Sequence, residues 1–390
     1  MNATEQLTNP VSSGPSNTDD SRAIRCAPDQ PIAIYQVHLQ SWMRMPDEGN
    51  RALTYSEIAP KLSDYLQHLR FTHVQLVAPD YLDPSGLRFL VEFLQRQNLG
   101  VILETTGPLR ATVSFGPDDF PADGQFLDGC LRLHTYNYKW DIAWAEETTA
   151  YFGTDPLYRK IRQRQFTHRD VYAFDSNYVL PLADRIVAQS RPSLHTIMPG
   201  DAWQKLANLR LLFAYMYLLP GKKLMFMGNE FGQQNTWRPE TSLDWHLVTT
   251  DSPNGKLLDW VANLNRFYRD ERALHQTDVS AAGFQWVDTD DAERSVISFL
   301  RRDAEAHELL LAVLNFTPVP RYNYRVGVPQ GGFWTERLNS DAMEFGGSGQ
   351  GNLGGLEAAP FGWNFQSHSL MLTLPPLGAT VLKAPMAGDT

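Results

Sequence analysis

The run IAIYQVHL at residues 32–39 is apolar with alternating character, which is typical of a buried β-strand. The runs THVQLVA at 72–78 and GVIL at 100–103 have the same character. Residues 54–57 form a capping-box pattern that precedes apolar residues at helical spacing, and a second helix is indicated at 87–94. This βαβαβ alternation predicts parallel strands joined by crossover helices.

The alternation is interrupted at residues 105–129, a stretch rich in proline and glycine that indicates no strand–helix pair. It resumes with a helix at 140–152, WDIAWAEETTAYF, and a strand at 178–182. A helix beginning at Asp201 and the strand KKLMFMG at 222–228 follow. The α/β part of the chain is therefore predicted to contain one irregular segment.

The chain changes character near residue 280, where short apolar runs are punctuated by glycine and proline. Such a pattern is typical of an all-β domain. The first 30 residues are rich in Ser, Asn, Thr, Asp and Pro and predict a disordered tail. We expect a tail over residues 1–30, an α/β domain over 31–275 and an all-β domain over 280–386.

Composition excludes several classes of protein. The net charge of −10 argues against a nucleic-acid-binding protein, which would need a basic surface. No apolar run approaches the length of a membrane span, and the first residues do not resemble a signal peptide, so we expect a cytoplasmic protein without a membrane partner. Two cysteines and scattered histidines predict no metal site, and the glycine-rich run at 346–355 is not a dinucleotide motif, so no cofactor is expected.

Long stretches of the chain resemble the 1,4-α-glucan (glycogen) branching enzymes of the α-amylase superfamily. They include YNYKWDIAWAEETTAYFGTDPLYRK, MPGDAWQKLANLRLLFAYMYLLPGKKLMFMGNEFGQ and TSLDWHLV, and the C-terminal run LNFTPVPRYNYRVGVP. The resemblance implies a TIM-type (β/α)8-like barrel over residues 31–275, incomplete because the region of strands 4 and 5 is missing, followed by an all-β C-terminal sandwich. It also implies an origin in glycogen metabolism.

The resemblance implies a retaining glucosyl transfer that needs two closely spaced carboxylates and a third stabilising group. After the third strand, Glu104 stands where the family has Asp, and Leu109 stands where it has His. The fourth-strand motif Gly-x-Arg-x-Asp, which carries the nucleophile, is absent from the sequence. A double displacement therefore lacks its central group.

Two further segments imitate catalytic motifs. Ala145-Glu146-Glu147-Thr148 resembles the fifth-strand motif, but its continuous match to a later helix of the family predicts that both glutamates are ordinary polar helix positions. At the seventh-strand motif, Asp184 falls at the family's His and Arg185 at its catalytic Asp, and a cation there would oppose an oxocarbenium charge. The residual catalytic candidates are Glu104, Asp184 and Glu230, with Glu147 as a further carboxylate.

The loop after the last barrel strand contains the candidate substrate-binding residues Glu230, Gln233 and Trp237. In a functional interpretation Trp237 stacks on a sugar face while Glu230 and Gln233 bind hydroxyls. In a structural interpretation Glu230 is paired inside the barrel and Trp237 covers a junction. Trp140 and Trp144 are four residues apart, which predicts a shared helix face packed in the core.

The missing segment leaves two structural alternatives. Either residues 105–129 supply substitute strands, or the barrel is open there and its unpaired edges dock on a second copy or on another branching enzyme. Three functional hypotheses follow: an inactive glucan-binding or regulatory relative of branching enzyme, an active glucanotransferase with rearranged carboxylates, or a decayed duplicate. We favour the first, with α-glucan as the expected partner.

Overall fold

The computed structural model describes residues 24–77, 83–104, 123–127, 130–133, 136–183 and 192–386. Within these ranges, eight strands in chain order close into a barrel in which the last pairs with the first. The barrel strands are β1 Ala33–His38, β2 His73–Val77, β3 Gly100–Glu104, β4 Gly124–Leu127, β5 Cys130–Leu133, β6 Tyr136–Trp140, β7 Tyr178–Leu182 and β8 Lys222–Phe226.

The irregular segment at residues 105–129 supplies one barrel strand, β4, and β5 follows it directly. Strand β4 pairs parallel to β3, β5 is antiparallel to both β4 and β6, and β6 returns to a parallel pairing with β7. The barrel is thus TIM-type except for the antiparallel strand β5. The ring is closed, so the expected open side, and self-association through it, has no unpaired strand edge to use.

The helices pack outside the barrel as the sequence predicts. Helix α1, Tyr55–Leu69, begins after Thr54, whose hydroxyl accepts from the Glu57 N–H while the Glu57 carboxylate accepts from the Thr54 N–H, so the predicted capping box is confirmed. Helix α2 begins after Asp83 and buries its predicted leucines. The helices of eight or more residues in the described ranges are α1 Tyr55–Leu69, α2 Pro84–Arg96, α3 Ile142–Phe152, α4 Arg159–Phe166, α5 Ala202–Leu218 and α6 Pro253–Asp270, and two single-turn helices lie at Leu39–Trp42 and Leu194–Ile197.

Trp140 and Trp144 are both buried, which confirms the core-packing interpretation. The shared helix face was wrong, because Trp140 ends strand β6 and helix α3 begins only at Ile142. Glu146 and Glu147 lie exposed in the middle of α3, as expected of polar helix positions. None of the helices in the described ranges is long and apolar enough to span a membrane.

Residues 284–383 form two antiparallel sheets. The larger has the order β9–β10–β11–β16–β13–β14, and β12 pairs with β15 in the smaller. These strands are β9 Phe284–Asp288, β10 Val296–Arg302, β11 Leu309–Asn315, β12 Arg321–Val328, β13 Gly332–Asn339, β14 Gly355–Ala358, β15 His368–Leu374 and β16 Gly378–Lys383. The predicted barrel followed by an all-β domain is confirmed.

A buried ionic cluster joins the two parts of the chain. Asp278 accepts from Lys222 Nζ at 3.0 Å, from Arg301 Nη2 at 3.0 Å and from Tyr268 Oη at 3.2 Å. Burial alone would raise the pKa of the Asp278 carboxyl, but the charges of Lys222, Lys223 and Arg301 outweigh burial and hold that pKa below its ordinary value. This cluster therefore fixes the β-domain to the amino-terminal end of strand β8, where Lys222 lies.

Candidate functional site

The carboxyl ends of the parallel barrel strands form the face where TIM-barrel enzymes place their active sites. Glu104 is the last residue of β3 and is buried, and its Oε2 accepts from Gln75 Nε2 at 3.3 Å. Of the residues that end the parallel strands in the described part of the barrel, Glu104 alone carries a carboxylate. Asp184, Arg185 and Leu109 lie outside the described residues.

A further carboxylate, Asp141, lies directly after β6. Its Oδ2 accepts from Arg169 Nε at 2.8 Å, and its Oδ1 accepts from the Trp144 N–H at 3.0 Å, where it caps helix α3. Both Asp141 and Arg169 are buried. This carboxylate is therefore occupied by an ion pair and a helix cap.

Glu230 lies in the layer between the barrel wall and helix α1. Its Oε1 accepts from Tyr35 Oη on β1 at 2.8 Å and from Tyr65 Oη on α1 at 2.7 Å. The side chain has 0% exposure, and burial raises its pKa to about 7 although the hydroxyls of Tyr65 and Tyr35 favour the ionised form. A direct bond from Glu230 to a sugar hydroxyl would require this cluster to open.

Aromatic rings enclose the Glu230 cluster. Trp42 Nε1 donates to Tyr35 Oη at 3.2 Å, and Trp245 Nε1 donates to the Trp42 carbonyl at 2.6 Å. The rings of Trp42, Tyr65 and Trp245 meet edge to face with centroids 5.1–5.7 Å apart. Such an arrangement fixes the loop after β8 to the first strand and first helix of the barrel.

Trp237 lies at the carboxyl-terminal rim of the barrel. Its ring contacts His38, the last residue of β1, and Phe226, the last residue of β8, with both centroids at 5.3 Å. Its Nε1 donates to Ser41 Oγ at 2.9 Å, and Ser41 Oγ lies 2.8 Å from His38 Nδ1. Burial lowers the pKa of His38, and the nearby charge of Arg44 adds to the effect.

A polar cleft of about 470 Å³ lies in the same loop as Trp237. Gln233 forms one wall, where its Oε1 accepts from the Asp244 N–H at 3.2 Å and its Nε2 donates to the Asn235 carbonyl at 3.3 Å. Asp244 in turn accepts from Asn235 Nδ2 at 3.0 Å. The cleft is lined by Gln233, Asn235, Thr236, Arg238, Thr241, Ser242 and Asp244.

The structure thus brings Gln233 and Trp237 to one rim and places Glu230 below it. Sequence reasoning missed Asn235, Arg238 and Asp244, whose signal is the polar, turn-rich run QQNTWRPETSLD at residues 233–244. The loop thus contains a half-buried indole together with amide, hydroxyl, carboxylate and guanidinium groups. Such a set can hold a polyhydroxylated ligand, because every hydroxyl finds both donors and acceptors.

One cluster in the β-domain could hold a cation. Ligand atoms of Asp303, Glu305 and His307 all lie within 4.8 Å of one another. Asp303 is already engaged, since its Oδ2 accepts from Arg272 Nη2 at 3.2 Å and its Oδ1 accepts from the Glu308 N–H at 2.9 Å. The cluster is explained by the turn between β10 and β11, which these bonds stabilise.

Comparisons with known proteins agree with this architecture. Residues 286–385 match the alpha amylase C-terminal all-beta domain. The crystal structure of the GBS pullulanase SAP in complex with maltotetraose superposes with a TM-score of 0.64 at 13% identity, over 97% of this chain and 74% of that one. This likeness shows the fold.

Sequence relatives extend over most of the chain. The 1,4-alpha-glucan branching enzyme GlgB of Aquifex aeolicus (strain VF5) is 37% identical, over 91% of this chain and 77% of the relative. GlgB of Cereibacter sphaeroides is 45% identical, over 92% of this chain and 66% of the relative. The Aquifex alignment spans 484 positions, more than this chain has residues, so part of the relative has no counterpart within the aligned range. The chain belongs to the GlgB family of 1,4-alpha-glucan branching enzymes.

Proposed function

We propose that this protein binds α-1,4-glucan at the carboxyl-terminal rim of its barrel without catalysing branching, in the glycogen metabolism of the cytoplasm. The observation that carries the proposal is that half-buried Trp237, at the barrel rim, belongs to the same loop as the residues that line the polar cleft. An aromatic ring packs against the flat C–H face of a glucose unit, while polar groups around it bind the hydroxyls. A protein with the same fold binds maltotetraose, which supports this ligand class.

The barrel geometry argues against catalysis. Retaining transfer needs two carboxyl groups about 5 Å apart at the carboxyl-terminal face. In the family the fourth and fifth strands supply them, whereas here β5 runs antiparallel and its carboxyl end points to the opposite face. In the described residues Glu104 is the one carboxylate that ends a parallel barrel strand, and Asp141, directly after β6, is paired with Arg169.

The test is a pair of assays on the purified full chain: amylose branching by iodine absorbance, and retardation by glycogen in affinity electrophoresis. We expect retardation without any spectral change beyond a blank lacking the protein. Trp237→Ala should weaken retardation about tenfold, since truncating a central aromatic contact costs more than 1 kcal/mol. Phe89→Ala, an exposed aromatic on α2, is the control.

Other outcomes select the alternative functions. Branching that is lost in Glu104→Gln would establish an active enzyme with rearranged carboxylates. A changed branching rate when this protein is added to an active GlgB would establish a regulatory role. If the protein shows no binding, no branching and no effect on an active GlgB, the decayed-duplicate hypothesis remains.

A further inference from the structure

A short hairpin on the β-domain exposes aromatic side chains in an unusual conformation. Trp363 and Gln366 exchange both backbone hydrogen bonds, at 3.1 and 2.9 Å, around a two-residue turn. Both turn residues are left-handed, with φ of 47° at Asn364 and 59° at Phe365. Asn and Gly suit such a turn, whereas a β-carbon with a bulky ring is disfavoured, and the Phe365 side chain is fully exposed. Stability does not explain an aromatic residue at this place.

The hairpin is fixed to the domain rather than loosely attached. Asn364 Oδ1 accepts from the Gly327 N–H of β12 at 3.1 Å, and Asn364 Nδ2 donates to Asp288 Oδ2 of β9 at 2.9 Å. A Cβ at Gly327 would lie 2.0 Å from the Trp363 carbonyl oxygen, so only glycine permits this close packing. The backbone of Trp363 is therefore held in place while 45% of the residue stays exposed.

Trp363 lines a cleft of about 680 Å³, within the range of small-molecule sites. The second aromatic ring that lines it and is strongly exposed is Tyr322, at 62%. Because both rings are exposed in one cleft, a ligand can pack against their flat apolar surface. Tyr322 Oη donates to Oε1 of Gln350, a residue outside the cleft lining, at 3.4 Å.

The charges of the cleft are balanced, which restricts the kind of ligand. Three carboxylates face three guanidinium groups, and some are already paired, since Asp291 Oδ2 accepts from Tyr324 Oη at 2.7 Å and from Arg294 Nη1 at 3.2 Å. A nucleic acid or an anionic lipid surface would need an excess of positive charge. The charged lining residues are Asp288, Asp290, Asp291, Arg294, Arg321 and Arg325.

We propose that this cleft, with Trp363 and Tyr322, is a second binding site for α-1,4-glucan. The ligand class rests on the function proposed above, while the site is separate from the barrel rim. A neutral sugar chain fits both observations, because its C–H faces pack on exposed rings and its hydroxyls use balanced donors and acceptors. Two sites on one chain raise the affinity for a branched polymer through effective concentration.

The experiment measures binding of maltoheptaose by calorimetry and of glycogen by affinity electrophoresis, for the wild type, Trp363→Ala, Trp237→Ala and the double variant. Trp363→Ala should weaken glycogen retardation about tenfold, and Trp363→Phe should restore most of it. Phe89→Ala is the matched control, because Phe89 is also 45% exposed and lies outside the cleft. Thermal unfolding checks that each variant is folded.

The outcomes separate this inference from the function proposed for the barrel. Glycogen binding that is lost in Trp237→Ala and unchanged in Trp363→Ala overturns the second site and leaves the first intact. The reverse result supports the second site and overturns the barrel rim. Partial loss in each single variant with full loss in the double variant supports both. Failure of the wild type to bind either ligand overturns both.

Discussion

Replacing Glu230 by Gln should change how the stability of this protein depends on pH. The carboxylate is fully buried between β1 and α1, and one oxygen accepts from both Tyr35 and Tyr65. An amide of the same shape keeps an oxygen for both hydroxyls and has no charge at any pH. Glu230→Gln therefore removes the titration while preserving the contacts.

The magnitude follows from the shift of the Glu230 pKa from 4.5 to about 7. Between these values the unfolded chain has released the proton while the folded protein still binds it, so stability falls as the pH rises. Each unit is worth about 1.4 kcal/mol, which gives a loss of about 3 kcal/mol between pH 4.5 and pH 7. The stabilising effect of the bound proton is complete below pH 4.5 and is lost as the pH passes through 7.

The assay is urea unfolding of the wild type and Glu230→Gln at half-unit steps from pH 4.5 to pH 8. Relative to the wild type, the free energy of unfolding of Glu230→Gln should increase by about 3 kcal/mol from pH 4.5 to pH 8. Glu146→Gln controls for the loss of one negative charge on an exposed helix position. Parallel curves for the wild type and Glu230→Gln would refute the reasoning, whatever their constant offset.

Two stability predictions test the packing described above. Asp278→Ala should lower the free energy of unfolding by about 3–5 kcal/mol, because it leaves Lys222 and Arg301 buried without a counter-ion, and a loss under 1 kcal/mol in urea unfolding would contradict this. Thr54→Ala should cost about 1 kcal/mol by removing the cap of α1, measured in the same way, and an unchanged midpoint would show that the cap contributes nothing.

The sequence is informative where structure is set by local patterns. The capping box at Thr54, the start of helix α5 at Asp201 and the short apolar strands of the β-domain are all recovered in the structure. Each depends on residues within one or two turns of each other. Local hydrogen bonding and periodicity carry such elements, so they can be predicted without knowledge of the fold.

The closure of the barrel depends on distant partners and could not be predicted in the same way. Strand β4 is four residues long and pairs with β3 across residues 105–122, for which no pattern indicates a crossover helix. The orientation of Glu230 is likewise non-local, because the partners that hold it, Tyr35 and Tyr65, are 195 and 165 residues away in sequence. The sequence motif identified Glu230 as a candidate, but it could not predict that its side chain packs between the barrel and helix α1.

The antiparallel turn at β5 separates the mechanical role of a barrel strand from its chemical role. The radius of a closed barrel follows from the number of strands and their stagger, and a meander supplies strands with connections of a few residues where each parallel crossover needs a dozen or more. The chain therefore keeps the full circumference with much less polypeptide. The parallel order is interrupted in one arc of the ring, while the opposite arc, where β8 meets β1 beneath Trp237, retains its parallel register. A closed barrel can thus reverse the direction of a strand in one arc and keep parallel register in the opposite arc.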